Sequence, residues 1–388
     1  MGVASLQVGN PSMGTVSRAP QTTAAPSTSG VPFPRLSRQG QINGPAIAGQ
    51  ALGGLWTPLL KPVGGYLRRL EFYISTGSVA NGNLTAATAA ADAPYNVIQN
   101  FFLRDPFGQP IIQADGYALY LINLYSGQVG SLNFGNNPAT LPSFSAVTTS
   151  GTAGLAGLFT FRLAIPLELD SSGYCSLPDM NASSQPQVQV QLNPSGTVYS
   201  ASTGTTPPTL TLALDEDFWM APVDNPQAAP ADVGSSSQWS EIRAAAGVGS
   251  AQYQRIQMPR VGTYIHTLIL ILRDSLGARI NAWPASDLTL WFDGVPVLME
   301  SFNERLDEMY TAFGVTQPTG VIVYTFRNSI QSFVSNGDTY DLLAPTTPAT
   351  LLEVSGTFGT IANAPATITA VVGELFPLGG IPYTHLAM

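Results

Sequence analysis

Charge is scarce in this chain of 388 residues: Asp, Glu, Lys and Arg make up 10% of it, against roughly 25% in typical soluble domains. A monomer that stays apart by charge repulsion carries more. The outer surface therefore reads as polar, uncharged and largely covered by further copies of the chain. Cys175 is the single cysteine, which excludes an intrachain disulfide; it reads as a buried, inert thiol. His266 and His385 are the only histidines, and a Ser–His–Asp set would have to use one of them. His266 falls within an expected strand, where a packed imidazole is the simpler reading, and His385 lies in the tail. Zinc sites built from thiolates and imidazoles are excluded by number. No apolar run reaches the length of about 18 residues that marks a membrane-spanning helix, and the N-terminus lacks the basic-then-apolar pattern of a secretory signal. No P-loop, dinucleotide-binding glycine unit or nucleophile elbow occurs in a suitable setting.

What is present is polar, turn-rich and repeated. Glycine and proline number 38 and 31, which suits many short strands joined by turns. The net charge of −9 disfavours nucleic acid as the main partner. Its distribution is uneven: residues 1–70 carry Arg18, Arg35, Arg38, Lys61, Arg68 and Arg69 and no acid. Basic patches with interleaved aromatics, which a nucleic-acid groove needs, are absent from the rest.

The chain is organised around Val97–Tyr125, VIQNFFLRDPFGQPIIQADGYALYLINLY. A relative returns at Leu288–Phe313, LTLWFDGVPVLMESFNERLDEMYTAF. In both, an aromatic strand enters a turn (Asp105-Pro106-Phe107-Gly108; Asp293-Gly294), a proline follows (Pro110; Pro296), then two apolar residues, then an amphipathic piece. Three further pairs recur in the same order: Gly65–Ile74 with Thr263–Leu272, Phe159–Arg162 with Tyr324–Arg327, and Thr209–Phe218 with Thr367–Phe376. Internal repetition of this kind points to two copies of one fold.

Residues 1–44, rich in Ser, Thr, Pro, Gly and Gln, read as an extended arm. Pro45–Gly64 is more apolar and reads either as a docking arm segment or as a strand or plug covering its own barrel. Strands are expected over Tyr66–Ser75, Tyr95–Arg104, Leu158–Leu169, Gln187–Leu192 and Pro208–Phe218, with a small-residue loop over Val79–Pro94 and a long loop over Ser126–Gly157. Trp219–Pro259 reads as a linker with a short helix over Ser237–Ala246. The second copy supplies strands over Tyr264–Arg273, Asp287–Phe292, Val321–Arg327, Thr339–Leu343, Leu351–Phe358 and Ala366–Phe376. Ser301-Phe302-Asn303-Glu304 fits a capping box, with Phe302, Leu306, Met309, Tyr310 and Phe313 at helical spacing and Gly314 to stop the helix. By analogy Gly116–Tyr125 is a helix too. The expected organisation is an arm at 1–64, a first unit at 65–219, a linker at 220–259 and a second unit at 260–388. The fold class is all-β: two tandem eight-stranded jelly rolls, each with a short flanking helix, plus the extended N-terminal arm.

Gly65–Ile74, Tyr95–Gln109 with Gly116–Tyr125, and Gly157–Leu192 with its Ile165-Pro166-Leu167 and later Gly-x-x-x-Leu-Pro resemble the double jelly-roll major capsid proteins of the tectivirus type. These come from tailless icosahedral viruses, bacteriophages among them, with an internal membrane. The resemblance spans roughly Gly65 to Phe376. It implies a non-enzymatic virion protein without cofactors: a homotrimer of pseudo-hexagonal outline in the capsid shell. Neighbouring capsomers, vertex and minor capsid proteins would be its partners, with no sequence-specific nucleic acid. The basic arm, with Arg18, Arg35, Arg38, Trp56 and Lys61, would lie on the inner side against the internal lipid membrane. A rival reading is a secreted or surface carbohydrate-binding or adhesin sandwich, with Phe134, Phe144 or Trp283 stacking on sugars. A weaker one is a polysaccharide hydrolase or lyase that uses Asp215 and Glu216. Asp215-Glu216-Asp217, the densest acid cluster, reads as a solvated strand end, with a hard cation such as calcium as the alternative.

Overall fold

The repeated segments fold into repeated strands. The computed structural model describes residues 38–77, 80–106, 108–126, 143–146, 153–169, 175–179, 185–222, 236–258, 264–326, 344–345 and 351–376. In chain order the first half contains β1 (Gln39–Ile42), β2 (Ala46–Gln50), β3 (Leu55–Trp56), β4 (Gly65–Ser75), β5 (Ala86–Ala89), β6 (Ile98–Arg104), β7 (Pro110–Ala114), helix α1 (Gly116–Tyr125), β8 (Ser143–Phe144), β9 (Phe159–Pro166), β10 (Leu177–Asp179), β11 (Gln187–Leu192), β12 (Tyr199–Thr203) and β13 (Leu210–Met220). The second half contains β14 (Ser236–Val248), β15 (Tyr253–Met258), β16 (Tyr264–Arg273), β17 (Leu288–Phe292), β18 (Val295–Glu300), helix α2 (Phe302–Phe313), β19 (Val321–Thr325), β20 (Ala344–Pro345), β21 (Leu352–Thr357) and β22 (Ala366–Phe376).

Strand order repeats between the halves. β13, β4 and β9 lie side by side in one sheet, as β22, β16 and β19 do in another. Opposite them run β7-β6-β11-β3 in the first half and β18-β17-β21-β15 in the second. Each half is thus a two-sheet sandwich with its strands in the same sequence. β6, β7 and α1 match β17, β18 and α2, with a turn at each hairpin. Asp293 and Gly294, at φ 50° and 79°, make the left-handed two-residue turn that suits twisted antiparallel strands.

The sequence repeat identifies the right strands but not their register. Phe72 faces Leu214 and Leu163, whereas Leu270, its counterpart, faces Ala370 and Ile322. The match of Thr209–Phe218 with Thr367–Phe376 is displaced along the strand, and so is that of Phe159–Arg162 with Tyr324–Arg327. Both displacements are even, so each side chain keeps its face; a pattern of period two cannot distinguish them.

The arm and the expected linker both supply strands, and these are counterparts of each other. The arm segment folds back: β1 and β2 pair with β13, from Gln39↔Trp219 to Leu210↔Gln50, and β3 pairs with β11 at Val190↔Trp56. Pro45–Gly64 is therefore a strap over its own sandwich, the second of the two readings offered by its sequence. The expected linker does the same for the second half. β14 runs along β22 from Ser236↔Phe376 to Val248↔Ala366, and β15 pairs with β21. The helix expected over Ser237–Ala246 does not form. Alanine is the best helix former, but propensity is a small term that tertiary context overrides, and the ladder with β22 outweighs it here. Smaller departures are β5, inside the expected loop Val79–Pro94, and a one-turn 3₁₀ helix at Tyr95–Val97 ahead of β6. The strand expected over Thr339–Leu343 and most of the long loop Ser126–Gly157 lie outside the described residues.

Both helices form as expected. Ser301 Oγ accepts from the Glu304 N–H at 3.2 Å while Glu304 accepts from the Ser301 N–H at 2.7 Å, and Gly314 ends α2 at φ 66°. Tyr310, placed on the apolar stripe by its spacing, is exposed, and Arg305 is buried in its stead. Arg305 pairs with Glu300 and Glu308 and stands over the Tyr324 ring at 5.0 Å. In α1 the Asp115 carboxylate caps the Ala118 N–H at 2.7 Å. Apart from Tyr120 every residue of α1 is buried, so it shows no polar face in the sequence.

Candidate assembly surface

The two sandwiches meet along a seam that the sequence did not announce. Trp239 and Ser240 of β14 pair in parallel with Ile112 and Gln113 of β7, which joins strands of both halves into one nine-stranded sheet. Next to this bridge the Asp115 N–H donates to Glu241 Oε2 at 2.9 Å. Asp92 of the first half holds Arg279 of the second at 2.6 Å and also binds Arg273. Both guanidiniums stand over the ring of Tyr117, at 4.5 and 5.3 Å. The helices touch as well: Tyr125 meets Phe313 edge-on with centroids 5.0 Å apart.

A polar cleft of about 410 Å³ opens at the seam, lined by Asn96, Gln99, Asn100, Gln113 and the carboxylates of Asp92, Asp115 and Glu241. Each carboxylate has a structural task. Asp92 binds two arginines, Asp115 caps α1, and Glu241 accepts from the chain at Asp115. Burial pushes the Asp115 carboxyl above its usual range, against the pull of the Ala118 N–H and of Arg273. No pair is left over as acid and base, the arrangement a glycoside hydrolase uses.

Large exposed apolar side chains gather on the second sandwich. Val295, Val297 and Met299 project from β18, the outermost strand of its sheet, and Met299 is 70% exposed. Across the outer face of that sheet, Arg255 stands 4.3 Å over Trp291 and its Nε donates to Glu353 at 2.6 Å. Trp291 Nε1–H donates to Ser355 Oγ at 2.7 Å, and Tyr253, itself exposed, reaches the same hydroxyl. Aromatic, methionine and arginine side chains of this kind are enriched at protein–protein interfaces. Here the ion pair and the hydrogen bonds hold Arg255, Trp291 and Tyr253 in place.

The residues singled out in the sequence are scattered. Arg18 and Arg35 lie outside the described residues. Arg38 is exposed, and its carbonyl accepts from the Met220 N–H at 2.8 Å. Lys61 is exposed, with Nζ on the Asn43 carbonyl at 2.6 Å. Trp56 is no surface anchor. It inserts between the sheets of the first sandwich, 7% exposed and stacked on Phe72 with centroids 6.1 Å apart, because the strap needs an apolar plug on its inner side. Among the described residues no helix is long and apolar enough to cross a membrane.

Asp215, Glu216 and Asp217 are not a solvated strand end. Strand alternation separates them: Asp217 pairs with Arg69 at 2.5 Å, while Glu216 turns inward opposite Leu70 and is fully buried. Glu216 accepts the Lys61 backbone N–H at 2.9 Å, and Asp179, also fully buried, accepts that of Val63 at 3.3 Å. Together they clamp the end of the strap. Burial, with Asp179 nearby, pushes the Glu216 carboxyl up to about 7 against the pull of the Lys61 N–H. Burial raises Asp179 as well. Glu374, matched to Glu216 by the repeat, is also fully buried. Among the described residues no group of three His, Cys, Asp or Glu side chains could hold a metal ion.

His266 is packed in its strand, edge-on to Trp239 at 4.9 Å, and Cys175 is buried. The aromatics offered to sugars are not free: Trp283 is buried against Phe358, Phe144 is half-buried beside Tyr199, and Phe134 lies outside the described residues.

No family model and no curated protein matches the chain. Solved structures do. The major capsid protein of Sulfolobus Turreted Icosahedral Virus aligns over 90% of this chain and 99% of its own, with a TM-score of 0.63 and 14% identity. The PBCV-1 virus capsid protein aligns over 87% of this chain and 93% of its own, with a TM-score of 0.58 and 10% identity. The major capsid protein of bacteriophage PM2 aligns over 89% of this chain and 100% of its own, with a TM-score of 0.51 and 11% identity. These are double jelly-roll proteins, and this chain has their fold.

Proposed function

We propose that the chain is the major capsid protein of an icosahedral virus, a non-enzymatic subunit of the capsid shell. The observation that carries this is the extent of the structural match, which covers 90% of the chain and 99% of a viral capsid protein and so takes in both sandwiches. The surface supports it. With 10% charged residues, broad faces can be buried against copies at little cost, since desolvating charge is the expensive term.

The finer reading is a homotrimer of pseudo-hexagonal outline that tiles with neighbouring capsomers and meets minor and vertex proteins at special positions. Its three-fold interface would bury more than about 2,000 Å², as obligate interfaces do. The N-terminal segment, with Arg18, Arg35 and Arg38, would face an internal membrane, each cation contributing about 1 kcal/mol near anionic head groups. Trp56 has no part in this, being spent in the core. Size exclusion with light scattering tests the trimer, and electron micrographs of the same material test the hexagonal outline. A stable monomer at micromolar concentration would count against the reading. Anionic liposomes test the arm: the full chain should co-sediment and a chain lacking residues 1–37 should not, while equal binding would remove the membrane role.

A further inference from the structure

The seam inside one chain is half of a contact whose other half is not made among the described residues. β14 uses its outer edge to pair with β7. The counterpart of β14 in the first copy is β1, which lies on β13 as β14 lies on β22. The counterpart of β7 in the second copy is β18, which lies on β17 as β7 lies on β6 and leads into a capped helix in the same way. β1 and β18 are each the last strand of their sheet, and no strand among the described residues pairs beyond either.

Burial records the difference. Ile111 and Ile112 of β7 are 4% and 0% exposed beside the bridge. Val297, the match of Ile111, is 51% exposed, and Leu298, the match of Ile112, is only partly buried. On the other partner, Trp239 is buried and its match Gln41 is exposed. The same edge is buried where the other copy covers it and exposed where no described strand does.

We infer that β18 of one chain pairs in parallel with β1 of the next, repeating between chains the seam that joins the two sandwiches within a chain. The inference rests on the capsomer reading and specifies its interface. Transferring the observed register of Trp239↔Ile112 and Ser240↔Gln113 sets Gln41 against Leu298 and Ile42 against Met299. Pro296 does not obstruct this, because Pro110 occupies the same place in β7 and pairing there begins two residues later. The contact is head-to-tail: each chain offers one β1 and one β18. Such a contact gives a ring when its rotation closes. Three chains would then present six sandwiches, all joined by one kind of seam.

The test is a cysteine pair in the full chain, Ile42→Cys with Met299→Cys. Adjacent strand positions fall within the Cα separation a disulfide spans, about 4.4–6.8 Å, and native Cys175 is buried. Mild oxidation should give covalent dimers and trimers on a non-reducing gel, and neither single variant should ladder to trimers. Trimers by light scattering without cross-linking would overturn this contact and leave the capsomer reading standing; no trimer in the unmodified chain would overturn both. Met299→Glu is a second arm. The side chain is exposed in the single chain, so the fold should keep its circular dichroism while the trimer falls to monomer. A trimer unchanged by that substitution would also overturn the contact.

Discussion

Glu216 is a side chain whose acid–base chemistry the fold alters strongly. Its carboxyl, pushed up to about 7, titrates in an unfolded chain near 4.5, so the folded state holds the proton more tightly between those values. Its contribution to stability is fully present below about 4.5 and is lost as pH rises through about 7, a swing of roughly 3 kcal/mol. Melting temperature should therefore fall between pH 5 and pH 8, and Glu216→Gln, which keeps the shape and cannot ionise, should flatten most of that fall. A slope unchanged in the variant would assign the effect elsewhere, Asp179, Glu71, Asp115 and Glu300 being further carboxyls that burial pushes upward. Trp56 is the second residue the fold redefines. Its removal from between Phe72 and the strap, Trp56→Ala, should cost about 3–5 kcal/mol in denaturant unfolding; a loss below about 1 kcal/mol would mean that the strap is not part of the core.

At the scale of elements, the strap and the helices behave differently. β1 to β3 cover edges of β13 and β11 that would otherwise offer unpaired N–H and C=O groups, a template for aggregation. Deleting residues 1–60 should give less soluble, more poorly folded material than deleting residues 1–37. Equal solubility of the two would contradict a structural strap. For α2 the capping box predicts that Ser301→Ala costs about 1 kcal/mol, read as a shift in the unfolding midpoint. α2 was legible from its sequence because it is amphipathic and capped at both ends. α1 was legible only by analogy, since a helix buried nearly all round carries no period, and its one local sign is Asp115 just before Gly116.

For the whole molecule, the seam decides whether two sandwiches move as one. Asp92 carries Arg273 and Arg279 across it, so Asp92→Ala leaves two partly buried guanidiniums without their carboxylate. Breaking such a network by removing one member costs about 3–5 kcal/mol. In Asp92→Ala, calorimetry should show a lowered transition, or two transitions where the parent chain shows one. A single transition at the parent temperature would reduce this network to a surface detail.

The sequence by itself determined the class of fold, the tandem duplication, most strands and the position of both helices. Each of these rests on local alternation, on turn residues such as Asp293-Gly294, or on the Ser301 cap, and local signals survive in a linear string. Only the tertiary structure decided that the arm and the linker are matching edge strands, that Trp56 and Glu216 point inward, and that β14 joins β7. Those outcomes depend on which open sheet edge lies within reach, and on a register that a pattern of period two leaves undetermined.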